Sequence, residues 1–301
     1  MSAAAQGLTE DVSCVLCRKT GSKHSAAEDP ADGAVHDTSA MPSTVQETLL
    51  ADALHGMTID AVLQVTQTNL IRTHDDGVLR SMFLKLSGTG MAPWEIHRPQ
   101  QVVVRLAQQG VFDGTRLCDL GSGIGDNALY LAKHRTCEVT AVELVERCQQ
   151  FTRPKQALRR GLEGKVLHWV TADLVQPLQP PLLGAQFDAL LDCALFVALG
   201  TSDRPQYLAN LAAMCRPGGH LYLIVFSDKW PAVNQGGPRR FTPQQLRDCF
   251  LPEAGWEVES VEDCMLEHHP RFSKHDPDSP RSWEYSWRGY CESYLAIIRR
   301  L

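Results

Sequence analysis

Apolar positions fall into two alternating rhythms from Gln101 onward. Three-and-four spacing predicts helices over Val102–Gln109, Asn127–Lys133, Glu146–Arg160 and Arg204–Cys215. Short apolar or alternating runs between them predict strands over Thr115–Leu120, Cys137–Glu143, Val166–Asp173, Phe187–Asp192 and His220–Phe226. Thr242-Pro243 reads as an N-cap followed by proline at the first helical position, with the helix running to Phe250. Trp256–Val261 and Ser293–Arg299 close the chain as two further strands. Strands alternating with helices of this length imply a doubly wound, mostly parallel Rossmann-like α/β sheet with helices on both faces. The last two strands are expected to pair antiparallel at its edge.

The chain upstream reads differently. Residues 1–44 hold three basic against six acidic residues and one short apolar stretch, around Val12–Leu16. Such a segment cannot bury enough apolar surface to offset its ordering entropy, so a disordered tail is expected. Residues 1–20 lack an apolar leader core, and the tail's acids argue against a transit peptide; a cytoplasmic protein is expected. Ser43 and Gln46 have capping-box spacing. Behind them, Leu49, Leu50 and Leu54, then Val62, Val65, Leu70 and Ile71, then Val78, Met82, Phe83 and Leu86 suggest three helices. The expected division is a tail (1–44), a helical extension (45–90) and one large domain (91–301).

Composition narrows the class. With 44% apolar and 21% charged residues the chain is ordinary globular protein. No apolar run reaches the ~18 residues of a membrane span. A formal charge of −6 leaves no electrostatic footprint for nucleic acid. Cys118, Cys137, Cys193 and Cys215 lie in apolar periodic stretches and read as reduced core thiols. Cys14 and Cys17 form a CxxC without a second pair, so no metal site is expected.

The chemistry concentrates in Asp119-Leu120-Gly121-Ser122-Gly123-Ile124-Gly125-Asp126-Asn127, which follows the first strand of the domain and opens a helix. Glycines let the backbone approach a ligand, and a helix N-terminus offers free N–H groups. The spacing is GxGxG, not the GxGxxG of dinucleotide folds, and an acid stands two residues before the first glycine. Glu143 ends the second strand, 24 residues after Asp119, where an acid can accept both hydroxyls of a ribose. Asp173 and Asp192 end the third and fourth strands.

This loop resembles the first motif of class I S-adenosylmethionine-dependent methyltransferases. Five phrases resemble the small-molecule subgroup of thiopurine S-methyltransferases and tellurite-resistance methyltransferases, in the right order across about residues 90–260. They are Pro93-Trp94-Glu95-Ile96-His97-Arg98-Pro99-Gln100 (PWDxGRPQ), Asn127-Ala128-Leu129-Tyr130-Leu131-Ala132 (ENALYLA), Leu191-Asp192-Cys193-Ala194-Leu195-Phe196 (LDSGLFH), Phe226-Ser227-Asp228 and Gly237-Pro238-Arg239-Arg240 (together CFSD…GPRR). The resemblance implies a seven-stranded methyltransferase sheet and S-adenosyl-L-methionine as cofactor. It implies cofactor contacts at Asp119, Gly121, Gly123, Gly125, Asn127, Glu143, Asp173, Leu174 and Asp192. Within these, Asp173 commonly accepts from the adenine amino group, and Asp192 faces the place where donor and acceptor meet. Asp192 and Trp94 are the implied catalytic residues, Trp94 closing the site from solvent. Arg216-Pro217-Gly218-Gly219 is the family's tight turn into the fifth strand.

Four departures stand out. His97 replaces a usual glycine, and Val197 replaces the histidine after Phe196, removing the obvious neutral-pH base. The N-terminal 90 residues have no counterpart, and a loop from about Cys264 to Cys291 is long. Its Trp283, Tyr285 and Trp287 alternate as in a strand with one aromatic face, or line a lid over the acceptor. A small thiol or other soft, anionic acceptor is therefore expected, attacking the sulfonium methyl in line. An O or N acceptor, an inactive S-adenosylmethionine-binding scaffold, and an NAD-dependent oxidoreductase are the competing readings, the last disfavoured by the loop spacing.

Overall fold

The computed structural model describes residues 80, 83–90, 92–230, 239–268 and 289–301. The expected tail, the first two expected helices of the extension, Gly237, Pro238 and the aromatic run at 283–287 lie outside the described residues. Of the third expected helix, residues 80 and 83–86 are helical.

The described domain alternates strand and helix as the periodicity predicts. Its elements are α1 (Gln101–Gln108), β1 (Arg116–Leu120), α2 (Asp126–His134), β2 (Glu138–Glu143), α3 (Cys148–Leu158), β3 (Leu167–Thr171), β4 (Phe187–Cys193), α4 (Arg204–Met214), β5 (Cys215–Ser227), β6 (Arg240–Phe241), α5 (Pro243–Cys249), β7 (Trp256–Glu267) and β8 (Tyr290–Arg300). The strand order is β3-β2-β1-β4-β5-β8-β7, with the short β6 beside β5. Pairs from β3 to β5 are parallel; β8 runs antiparallel to both β5 and β7. This is the seven-stranded mixed sheet expected, plus β6.

Boundaries shift where pairing overrides local pattern. β7 runs on to Glu267 and β8 starts at Tyr290, so Cys264 and Cys291 are strand residues, not loop ends. Eleven of the twelve residues of β7 pair along β8, with Glu259 passed over, and this holds a polar stretch (Glu257, Glu262, Asp263) extended at the sheet edge. Arg216–Gly219 is a bulge within the start of β5: pairing with β4 passes from Cys215 directly to His220. In α5, Thr242 accepts from the Gln245 N–H at 3.1 Å and Gln245 returns the bond at 2.9 Å, a reciprocal cap.

Both faces of the sheet are covered. Leu120, Leu190 and Leu223 pack with Tyr207, Leu211 and Phe250 on one side. Leu117, Leu191 and Ile224 pack with Val103, Leu106 and Leu129 on the other. The described cysteines are all free, and most are buried. From β1 the order turns one way to β2 and β3, and from β4 the other way to β5. A crevice therefore opens at the carboxyl ends of β1 and β4, the place where open α/β sheets take ligands.

Candidate active site

Asp119 stands one residue before the end of β1, 1% exposed. It accepts from the Ala128 N–H of α2, while Oδ2 has no partner among the described residues. Burial, then the charges of Asp192 and Glu143, push its pKa up to about 7. The glycine loop that follows is left-handed at Gly121, Gly123 and Gly125. Their surroundings differ. At Gly125 a Cβ would lie 2.6 Å from Thr152 of α3 and 2.7 Å from Trp169 of β3. At Gly123, by contrast, it would meet nothing within 4 Å, so this backbone faces open space. The Ser122 hydroxyl beside it is buried and has no partner among the described residues.

Glu143 ties this loop to β2. Its carboxylate accepts from the Gly123 N–H and the Val145 N–H, each at 2.9 Å. Burial raises its pKa against those bonds. Each oxygen accepts one of these bonds and so keeps a further lone pair, and the residue is only partly buried. Asp173, beyond β3, accepts from the Val175 N–H at 3.2 Å and from the Arg80 guanidinium. Leu174 is buried, and its carbonyl accepts from the Asn210 amide at 2.8 Å. Asn127 lies at the start of α2. Its oxygen accepts from the Gln100 N–H at 2.9 Å, and its side chain also bonds Cys193.

Asp192 is fully buried, and both its oxygens are engaged. Tyr207 of α4 donates to Oδ2 at 2.7 Å; the N–H groups of Leu195 and Phe196 donate at 2.7 and 3.1 Å. Burial still lifts its pKa to about 6, against these bonds. Val197 is buried in the turn that follows. The β4 turn thus presents a carboxylate tied to its own backbone and an apolar side chain.

Trp94 is half-buried against Phe83, with ring centroids 4.6 Å apart. Its neighbour Glu95 is buried and accepts from the N–H groups of Gly88 (2.5 Å) and Ala92 (3.2 Å). Burial pushes Glu95 up to about 7. Arg98 pairs with Glu267, and Gln100 exchanges two bonds with the Glu267 backbone at 2.9 and 2.8 Å. The phrase 93–100 thereby fixes the end of β7, from which the 268–289 segment leaves.

Sequence reasoning did not find several of these groups. Tyr207 and Asn210 carry no local signal. Neither do Lys155 and Arg159, which grip Asp126 at 2.6 and 2.9 Å. Two others were visible in the subgroup phrases. His97 (φ 59) and Ala194 (φ 71) are left-handed residues other than glycine, and both stand where those phrases have glycine. The His97 Nε2, 2.7 Å from the Gly90 carbonyl, helps offset the strain there. Among the described residues, no group of acids, histidines and cysteines suits a metal, and no helix is long and apolar enough to cross a membrane.

The three buried acids set a pH dependence. Asp119, Asp192 and Glu95 titrate near 7, 6 and 7 when folded, against about 4 when unfolded. The unfolded chain therefore loses these protons first as pH rises. Their stabilisation is full below about pH 4 and is lost as pH climbs through 6 to 7. We expect the melting temperature to rise between pH 8 and pH 6. Asn at position 119 keeps an acceptor for the Ala128 N–H without ionising, so Asp119→Asn shallows that slope. An unchanged slope in calorimetric melts would count against the buried-acid account.

Comparisons with known proteins agree with this geometry. A methyltransferase-domain family profile matches residues 117–219, from β1 to the β5 bulge. A Mycobacteroides abscessus 2-heptyl-1-hydroxyquinolin-4(1H)-one methyltransferase is 26% identical over 180 residues, covering 58% of this chain and 72% of the relative. The chain is a class I S-adenosylmethionine-dependent methyltransferase. A Vibrio parahaemolyticus thiopurine S-methyltransferase is 32% identical over 92 residues, 30% of this chain and 40% of the relative. A solved structure from echinomycin biosynthesis, from work on converting a disulfide into a thioacetal, has the same fold. It aligns at TM-score 0.55 and 23% identity over 75% of this methyltransferase and 90% of that chain.

Proposed function

We propose that this methyltransferase acts on a small molecule whose accepting atom is soft or already anionic, a thiolate above all. The observation that carries this is the β4 turn. Val197 stands where the subgroup has histidine, and the Asp192 carboxylate is spent on Tyr207 and two backbone N–H groups. An un-ionised alcohol or an ammonium must give up a proton to a base at the acceptor; a thiolate need not, since the ionised form is present near neutral pH. The thiopurine relative supports a sulfur acceptor, and the hydroxyquinolone relative supports a small ring acceptor.

S-adenosyl-L-methionine, when bound, supplies an electrophilic methyl on a sulfonium. The chain's own residues fit that group. In this reading Glu143 takes the ribose hydroxyls, and the backbone of Gly121, Gly123 and Gly125 with Asn127 lines the loop against the cofactor. Asp119, with an oxygen lacking a partner among the described residues, holds the ammonium of the amino-acid end, and Asp173 with Leu174 borders the base. Asp192 holds the β4 turn, and Trp94 excludes water from the acceptor side. Alignment of donor and acceptor then does most of the catalytic work.

The test is a rate comparison on matched thiophenol, phenol and aniline acceptors, with S-adenosylhomocysteine release as readout. The proposal expects thiophenol to be methylated at least tenfold faster than either analogue, with a rate that rises with the thiolate fraction. Equal or faster turnover of phenol or aniline would overturn the soft-acceptor reading.

A further inference from the structure

The segment that enters the domain from the N-terminal extension lies across the ends of β2 and β3. Arg147, just before α3, donates to the last carbonyls of the helical turn at 83–86. Its Nη2 lies 2.7 Å from the Leu84 oxygen and 2.5 Å from that of Lys85, and its Nε 2.6 Å from that of Ser87. Gly88, left-handed, packs so closely that a Cβ would lie 2.7 Å from the Arg147 side chain and 2.8 Å from the Cys148 nitrogen. Glu95 holds the following loop through the Gly88 and Ala92 N–H groups. The segment is therefore pinned from residue 84 onward. Upstream of those pins, Arg80 reaches the Asp173 carboxylate.

That contact takes the oxygen of Asp173 that the Val175 N–H leaves open. We propose that Arg80 gates the nucleoside end of the site: its guanidinium must leave Asp173 before the amino group of adenine can bond there. This rests on the reading of Asp173 as the acid that meets the base. The pair suits a gate. Its side chains are 38% and 22% exposed, so water and salt compete for it and opening costs little. The pins at Arg147 and Glu95 keep the segment docked while Arg80 swings. A residue from the extension thus sets how tightly the domain takes its nucleoside.

The experiment is calorimetric titration of the full chain with S-adenosylhomocysteine, for wild type, Arg80→Gln and Asp173→Ala, at about 50 and about 300 mM potassium chloride. Arg80→Gln is expected to tighten binding roughly 2- to 5-fold at low salt, the size of a partly exposed ion pair. Wild-type affinity is expected to rise with salt, and that rise to vanish in Arg80→Gln. Asp173→Ala is expected to weaken binding. Unchanged or weaker binding by Arg80→Gln, with Asp173→Ala still weakened, overturns the gate and leaves the reading of Asp173 standing. Unchanged binding by Asp173→Ala overturns both. A purely structural role for Arg80 predicts a lower melting temperature and no tightening.

Discussion

Glu143→Ala should weaken S-adenosylhomocysteine binding by about two orders of magnitude. A carboxylate accepting two ribose hydroxyls makes two charge-assisted bonds, each worth ~1.5–3 kcal/mol net. Losing the pair therefore costs about 3 kcal/mol or more, and every ~1.4 kcal/mol is tenfold in affinity. The same carboxylate accepts from the Gly123 and Val145 N–H groups, so its removal also loosens the loop that faces the crevice. Glu143→Gln keeps an acceptor oxygen and should fall between the two. Equilibrium titration reads both variants. An Ala variant within threefold of wild type would mean that the ribose sits elsewhere.

The second large effect is on folding. Asp192→Ala leaves the Tyr207 hydroxyl and the Leu195 and Phe196 N–H groups buried without their acceptor. Removing one partner from a buried charged network costs about 3–5 kcal/mol. At 2–4 °C per kcal/mol for domains of this size, the melting temperature should drop by about 10 °C. Asp192→Asn retains one acceptor oxygen and should lose less. If Asp192 were instead a free general base, Asp192→Ala would keep its melting temperature and lose turnover alone. Thermal melts beside single-turnover rates separate these outcomes.

The parts of this protein that show in its sequence are those governed by local rules. Period-two and period-3.6 apolar patterns placed the strands and helices of the sheet. Acids at the carboxyl ends of β1 to β4 stood out because the fold gathers strand ends at one rim, so their order along the chain becomes proximity in space. The glycine loop was visible because left-handed turns leave few residue choices. What did not show depends on contacts between distant residues. Nothing near Asp192 in sequence names Tyr207, fifteen residues on, as its donor. Arg98 and Gln100 meet Glu267 across 169 and 167 positions. The full length of β7 depends on β8, since its charged residues read as loop until a partner strand supplies the hydrogen bonds. The left-handed backbones at His97 and Ala194 escaped local reading because their residue types carry no glycine signal; the comparison with the subgroup phrases supplies it.

We read the crevice over β1 and β4 as built for an adenosyl sulfonium, and not for a dinucleotide. The most direct test is calorimetric titration of the wild-type chain with S-adenosyl-L-methionine and, separately, with NAD. We expect saturable micromolar binding of S-adenosyl-L-methionine and none of NAD at the same concentrations. Tighter binding of NAD, or no binding of S-adenosyl-L-methionine, would contradict it.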